Sequence, residues 1–285
     1  MIKQNKIKHL TKTDLAKSCG ISRQSLYYQP IRPAKDKLIK TQIEEVLSDN
    51  SSYGHRRIAL ELGMNKKKIL RIMKKFNLKP YKRRIKKPKK MNDLGKPPTD
   101  YENKIKNICP IKPNVVWVTD FTCIRFQNKF IYLATMMDLF TREIIGWHIS
   151  DKHDRYLVLN TLNMALRKNK AHPIYHHSDQ GSEYDSRDYI KKLEDNKIIV
   201  SMSKKGHPWE NGYQESFYSQ FKLDLGQPDQ FETLGELIEA IYQQIDYYNH
   251  RRIHTGLKTS PIKFKEQYYL KKLLFALPQT SGQLV

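Results

Sequence analysis

The spacing of apolar positions changes character along this chain, and the changes divide it. Over residues 11–28, Leu15, Ala16 and Cys19 fall at helical spacing, Gly20 interrupts the run, and Leu26 returns in phase. That pattern predicts two short helices joined by a turn, with Thr13 or Asp14 capping the first and Ser22 the second. The spacing recurs 43 residues on: Ala59, Gly63, Met64 and Ile69 stand where Ala16, Gly20, Ile21 and Leu26 stood, and Asn65 takes the place of the Ser22 cap. From about residue 112 the period shortens. Runs rich in β-branched and aromatic residues predict strands over 115–121, 130–137 and 143–149, with connections short enough for an antiparallel meander. Leu157, Leu159, Leu162, Ala165 and Leu166 then predict a helix lying on one sheet face. A strand over 173–177, a helix over 186–196, a strand over 198–202 and a helix over 209–224 follow. Leu234, Leu237, Ile238, Ile241, Ile245 and Tyr248 repeat at three and four, which predicts an amphipathic helix over 231–248.

The fold class expected is therefore α/β: a mixed sheet core, preceded by small all-α helix-turn-helix units and followed by a helical C-terminal segment. The predicted boundaries are a first helix-turn-helix over 1–35, a second such unit over 36–80, a basic linker over 81–111, the sheet domain over 112–228 and the helical segment over 229–285. In this arrangement the first and fourth strands can lie side by side.

Charge narrows the function. The 285 residues carry 52 Lys and Arg against 29 Asp and Glu, a net charge of +23. A fold does not require that excess, whereas a polyanionic partner does, because neutralising phosphates releases counterions. No run of about 18 apolar residues and no lipidation motif speaks for a membrane partner. The basic N-terminus has no apolar signal core, so secretion is not expected. Cys19, Cys109 and Cys123 form no CxxC pair, which fits a reducing compartment better than a disulfide or zinc framework. Lys66, Lys67, Lys68 and Arg71 cover the outer face of the second predicted recognition helix. The tract 82–90, with Arg83 and Arg84, has almost no apolar content and reads as an extended arm along nucleic-acid backbone; a nuclear-import signal is the competing reading. Candidate DNA contacts are Arg23, Arg56, Arg57, Lys67, Lys68, Arg71, Arg83, Arg84, Lys204, Lys205, Ser219, Lys222, Arg251 and Arg252.

Three carboxylates carry the candidate chemistry. Asp120 closes the apolar run 115–119, Asp179 follows the short run ending at His177-Ser178, and Glu215 lies on the helix expected over 209–224; 35 residues separate Asp179 from Glu215. Two acids at strand ends and one on a helix can converge into a cage of hard oxygen ligands, which suits Mg²⁺ or Mn²⁺. A pair of such ions is a standard device for cutting and joining phosphodiesters. Singly, each acid has a duller reading: a strand cap, a turn residue before Gly181, a charge on a solvated helix face. Asp138, at the end of another apolar strand, reads as structural or as a support to the metal ligands. Ser219 and Lys222 lie one and two turns beyond Glu215 on the same helix face.

These residues, taken together, resemble the integrase-like transposase frame of the insertion-sequence-three family, related to retroviral integrases. The matching segments are Trp117-Val118-Thr119-Asp120; Tyr132-Leu133-Ala134 with Asp138-Leu139-Phe140-Thr141-Arg142 and Gly146-Trp147; and His177-Ser178-Asp179-Gln180-Gly181-Ser182. Glu210-Asn211-Gly212 leads to Glu215-Ser216-Phe217 and Lys222, and the series ends with Tyr247-Tyr248-Asn249-His250-Arg251-Arg252-Ile253-His254 and Ser260-Pro261. Tyr53-Gly54-His55-Arg56-Arg57 at the entry to the second helical unit belongs to the same series. Two departures stand out: Glu210 replaces the Asp usual before Asn, and the stretch 59–69 is shorter than is common.

The resemblance implies a ribonuclease-H-like core, Asp120, Asp179 and Glu215 as catalytic metal ligands for two Mg²⁺ (or Mn²⁺) ions, and DNA strand transfer. It also implies double-stranded DNA partners, namely the element's terminal inverted repeats and the target, and a homo-oligomer of at least two copies on DNA. An N-terminal partner from a second reading frame and a bacterial cytoplasmic, nucleoid-associated setting complete the expectation. A nuclease of the same fold and a non-catalytic DNA-binding regulator are the alternatives.

Overall fold

The computed structural model describes residues 11–27, 31–81, 101–204 and 207–276. The expectations for Arg83, Arg84 and Lys205 lie outside the described residues. The first helix, α1 (Lys12–Ser18), opens with a capping box at Thr11, two positions before the earlier of the candidates read from sequence. The Thr11 hydroxyl accepts the Asp14 N–H at 3.2 Å, and the Asp14 carboxylate accepts the Thr11 N–H at 3.3 Å. Asp14 is thus the reciprocal partner of the cap rather than the cap itself. After Gly20, which adopts φ +65°, the chain forms only a 3₁₀ turn over Arg23–Tyr27 instead of a second α-helix. Ser22 does accept the N–H of Ser25 at 3.3 Å. Ala16 is buried, but Leu15 and Cys19 are exposed. The expected inner face shrinks to Ala16 because so short a turn covers little.

The second occurrence of the spacing forms a true helix pair. Helix α2 (Ile31–Asp49) crosses the boundary expected at 35/36, and α3 (His55–Glu61) and α4 (Lys66–Lys75) follow. Gly63 takes the left-handed conformation at the turn (φ +60°), and Asn65 Oδ1 accepts the Lys67 N–H at 2.8 Å. Ile39, Ile43, Tyr53, Ile58, Ala59, Ile69, Ile72 and Met73 form the core of this unit. Ile253, almost 200 residues away in sequence, completes that core.

The sheet domain contains β1 (Val116–Phe126), β2 (Lys129–Asp138), β3 (Ile144–Ser150), α5 (Arg155–Lys168), β4 (Tyr175–Ser178), α6 (Arg187–Asp195), β5 (Ile199–Met202), α7 (Gly212–Leu225), α8 (Leu234–His250) and α9 (Pro261–Ala276). Strand order is β3-β2-β1-β4-β5, with β1–β2 and β2–β3 antiparallel and β1–β4 and β4–β5 parallel. The expected meander and the β1–β4 neighbourhood are both present. Alternation along β1 builds two apolar layers. Val116 and Val118 face α7 and α8 through Phe217, Phe221, Leu237, Ile241 and Ile245. Trp117 faces α5 and α6 through Val158, Leu162, Tyr189 and Leu193. β3 approaches α5 so closely that a Cβ on Gly146 would lie 2.5 Å from the Thr161 carbonyl oxygen. The basic linker expected over 81–111 does not extend that far. From Tyr101 the chain is fixed to the sheet edge: the Lys104 N–H donates to Ser201 Oγ at 2.9 Å, and Ile105 is buried under the α7–α8 layer.

Candidate active site

β1 runs on to Phe126, so Asp120 sits mid-strand rather than at a strand end. Its neighbour on β2 is Thr135, while on the other side the pairing to β4 stops at Val118↔His177. Continuing that parallel register by two residues sets Asp120 against Asp179, the residue that follows β4. The sheet thus opens where the two acids stand, at the carboxyl end of β4. The Phe121 N–H donates to Asp120 Oδ1 at 2.8 Å, and the Gly181 N–H donates to Asp179 Oδ1 at 3.1 Å.

Helix α7 lies across this opening, and a polar stripe holds it to β1. Asn211 Nδ2 donates to the Thr119 carbonyl at 3.1 Å, Gln214 Nε2 to the Val118 carbonyl at 2.7 Å, Tyr218 OH to the Asp120 carbonyl at 2.6 Å and Lys222 Nζ to the Cys123 carbonyl at 3.0 Å. Gln214 also donates to the Thr135 carbonyl at 3.3 Å and accepts from Thr135 Oγ1 at 3.1 Å. The spacing of 211, 214, 218 and 222 is that of one helix face. Glu215, next to the stripe, is exposed on the active-site side, and Ser219 is exposed one turn on.

The electrostatics follow from this placement. Asp120 is pushed up to about 8, first by burial and then by the Asp179 carboxylate; the Phe121 N–H pulls the other way, and Glu215 adds a smaller push upward. Burial also raises Asp179, against the Gly181 N–H. Two acids held close in a poorly solvated notch are strained as anions until a cation joins them. Among the described residues, no three His, Cys, Asp or Glu side chains stand close enough to hold one ion as they are. The donor chemistry of Asp120 and Asp179 nonetheless fits a hard divalent cation, and Glu215 is near enough to be felt by Asp120.

Asp138 belongs to the structure of a loop. Its Oδ1 accepts from the N–H groups of Phe140 (3.1 Å) and Thr141 (2.7 Å) and from Thr141 Oγ1 (2.9 Å), while Oδ2 accepts from the Asn114 N–H at 2.7 Å. Glu210 ties the loop before α7 to the segment after Tyr101: its Oε2 accepts from Asn103 Nδ2 and from the Lys204 N–H, each at 2.9 Å.

Matches to known proteins agree with this geometry. Two integrase core domain models match residues 110–208 and 196–261. The protein named transposase InsK for insertion sequence element IS150 of Escherichia coli (strain K12) is 32% identical over 273 residues, covering 91% of this chain and 95% of that protein. The chain belongs to the integrase-core transposases of the IS3 family. The 31 kDa protein of insertion element IS600 from Shigella sonnei is 30% identical over 264 residues, covering 88% of this transposase and 97% of the relative. A chain in the simian T-cell lymphotropic virus intasome shares the fold, with a TM-score of 0.50 at 15% identity over 78% of this chain and 73% of that one. The transposase is thus a polynucleotidyl transferase with an integrase fold. No helix among its described residues is long and apolar enough to cross a membrane.

The DNA contacts expected from sequence divide into two groups. Arg23, Arg56, Lys67, Lys68, Lys204 and Arg251 are exposed. Three of the expected arginines are held by protein partners, although Arg71 stays half-exposed. Arg252 is 2% exposed and donates to Asp224 Oδ2 at 2.5 Å and to Gln220 Oε1 at 2.8 Å. Arg57 donates through Nε to the Ile253 carbonyl at 3.0 Å and through Nη1 to Gln220 Oε1 at 3.3 Å. Arg71 forms a bidentate pair with the buried Asp36, at 2.9 and 2.6 Å. A basic residue next to apolar positions reads the same in sequence whether it faces solvent or a buried acid, and here the acids lie far away along the chain. Sequence reasoning also left Asn211, Gln214 and Tyr218 without roles. Their recurrence at three and four with Lys222 was the available signal.

Proposed function

We propose that this transposase cleaves the ends of its insertion sequence and joins the freed 3′-hydroxyls to target DNA, with Asp120, Asp179 and Glu215 as its catalytic carboxylates. One observation carries the reading: the β1–β4 register sets Asp120 against Asp179 at the sheet opening, while α7, which bears Glu215, is hydrogen-bonded to that same stretch of β1. The three acids would hold two Mg²⁺ or Mn²⁺ ions, which when bound supply charge stabilisation to the attacking and leaving oxygens of an in-line displacement. The chain's own part is positional. The Phe121 and Gly181 N–H groups aim the two aspartates, and the α7 stripe fixes Glu215 relative to Asp120. No covalent protein intermediate is required.

The partners in this reading are the terminal inverted repeats and the target duplex, bound by at least two copies of the chain, since two ends must be held together. An N-terminal partner from a second frame is compatible with it. The exposed cations Arg23, Arg56, Lys67, Lys68, Lys204 and Arg251 would contact DNA backbone, and Ser219 and Lys222 would lie beside the strand nearest the acids. The test is incubation with a plasmid carrying the element's own ends in Mg²⁺ or Mn²⁺, beside Asp120→Asn. Joined strands from the wild type alone support the reading. Cleavage without joining would identify a nuclease. End binding without reaction, even with the second-frame protein added, would identify a regulator.

A further inference from the structure

We propose that Gln220 is a positioning residue: it locks the helical unit of α2–α4 to the catalytic helix, so that the distance from the DNA end to the cut is set by the fold. The inference rests on the reading above, in which the exposed lysines of α4 face DNA and α7 carries a catalytic acid.

Gln220 lies on α7, five residues beyond Glu215. Its Oε1 accepts two guanidinium groups, Arg57 Nη1 from α3 at 3.3 Å and Arg252 Nη2 from the segment after α8 at 2.8 Å. Arg252 is fixed in turn by Asp224, one helical turn further along α7. The same segment enters the helical unit directly. The Ile253 side chain fills that unit's core, its N–H donates to Tyr53 OH at 2.8 Å, and its carbonyl accepts Arg57 Nε at 3.0 Å. Tyr247 OH on α8 donates to Asn50 Oδ1, beside the end of α2.

The charge arrangement is unfavourable unless it has a use. Two arginines converge on one amide oxygen, with Asp224 the only carboxylate among the hydrogen-bond partners of either within the described residues. Burial and the neighbouring Arg252 both disfavour the charge on Arg57. Buried ionic groups of this kind contribute little net stability, and their best-attested use is to fix one arrangement among several apolar alternatives. An apolar contact between α3 and α7 would tolerate sliding. A forked hydrogen bond to a single oxygen tolerates far less, because donor and acceptor must stay within a few tenths of an ångström and near alignment. From the exposed Lys66, Lys67 and Lys68 of α4 to Glu215, the path then runs through packed helices, the Ile253 segment and the forked contact on Gln220.

Gln220→Ala removes the shared acceptor and leaves the apolar core of the unit intact. The test maps cut positions at single-nucleotide resolution on a duplex carrying the element's terminal repeat, with the second-frame protein present. Wild type is expected to give one dominant cut. Gln220→Ala is expected to give a ladder over neighbouring phosphates, with end affinity and total cleavage retained. Arg57→Met is expected to do the same, with an unchanged salt dependence of binding. A phosphate contact at Arg57 would instead lower the slope of log affinity against log salt by about one and leave the cut in place, which would overturn the proposal.

A second readout needs no activity and so separates this inference from the functional reading. Spin labels at Lys74→Cys on α4 and Lys191→Cys on α6, with Cys19, Cys109 and Cys123 changed to Ser, report the distance between the two units in the whole chain. A narrow distribution that broadens with Gln220→Ala supports the lock. A broad distribution in the parent, or a narrow one in the variant, refutes it whether or not the protein cuts DNA.

Discussion

Gln214→Met tests whether the polar stripe of α7 fixes the active site. Gln214 is fully buried, and methionine fills nearly the same volume, so no cavity term enters. The substitution removes three hydrogen bonds, at 2.7 Å to the Val118 carbonyl, 3.3 Å to the Thr135 carbonyl and 3.1 Å from Thr135 Oγ1. Thr135 keeps other partners: its carbonyl still accepts Thr119 Oγ1 at 2.9 Å, and its hydroxyl still reaches Tyr218 OH at 2.8 Å. The main loss is therefore the short bond to Val118. A net hydrogen bond of about 1 kcal/mol plus a partly stranded acceptor gives about 2–3 kcal/mol. For a chain of this size that corresponds to a fall in Tm of about 5–10 °C. Thermal and urea unfolding measure it, and Gln243→Met, an exposed position on α8, is the control. Strand transfer, assayed well below either Tm, is expected to drop by at least about tenfold, because small misplacements of catalytic groups are costly. If Gln214→Met costs no more than the control and leaves transfer unchanged, then Phe217, Phe221 and Leu225 hold α7 by themselves and the stripe is incidental.

Further outcomes follow from single positions. Gly146→Ala places a methyl 2.5 Å from the Thr161 carbonyl and 2.8 Å from Ala165 Cβ, so β3 or α5 must shift; overpacking of this kind costs about 1–3 kcal/mol, read by urea unfolding. Asp120 is raised to about 8, so the stability associated with it is present below the usual carboxylate range and is lost as pH rises through about 8. Asp120→Asn is thus expected to be more thermostable than wild type in metal-free buffer, increasingly so from about pH 5 to about pH 8, with added Mg²⁺ or Mn²⁺ narrowing the gap by stabilising only the wild type. A Tm difference independent of pH would contradict this origin. His176 and His177 on β4 are lowered to about 3 and about 4 by burial. Their contribution is complete above about pH 6.5 and is lost as pH falls through those values; His177→Asn should flatten the acid limb of a Tm-against-pH profile.

The division between what the sequence disclosed and what it hid has a physical basis. Strands and helices of the sheet domain were legible because alternation and three-four spacing are local. The β1–β4 pairing was legible because a meander followed by a crossover leaves few places for the fourth strand. Asp120, Asp179 and Glu215 stood out because three acids recur beside apolar runs and within matching motifs. The tandem spacing at 16–26 and 59–69 was legible as a pattern but not as an outcome. Only the second copy has α2 beside it and Ile253 to fill its core, so only there did the spacing become two packed α-helices. Hidden altogether were interactions whose partners are distant in the chain. Arg57, Arg71 and Arg252 look in sequence like the exposed cations around them. Whether such a residue meets a phosphate or Asp36, Asp224 and Gln220 depends on which helices cross, and a local pattern does not carry that. In a strongly basic chain each arginine is a DNA contact by default, yet the structure pairs three of them with protein groups. The sequence cue for that exception is the aromatic or apolar residue next to each: Ile58 beside Arg57, Ile72 beside Arg71 and Ile253 beside Arg252. All three isoleucines belong to the core of the α2–α4 unit, so each guanidinium leaves the backbone at the edge of a packed interface, where an acid or amide on the facing element can be reached. Arg23, Arg56 and Arg251 are followed by Gln24, Arg57 and Arg252, none of them an apolar core residue. That leaves Arg23, Arg56 and Arg251, with the exposed Lys67, as the cations whose removal should weaken DNA binding most directly, by about one unit of salt slope for each phosphate lost.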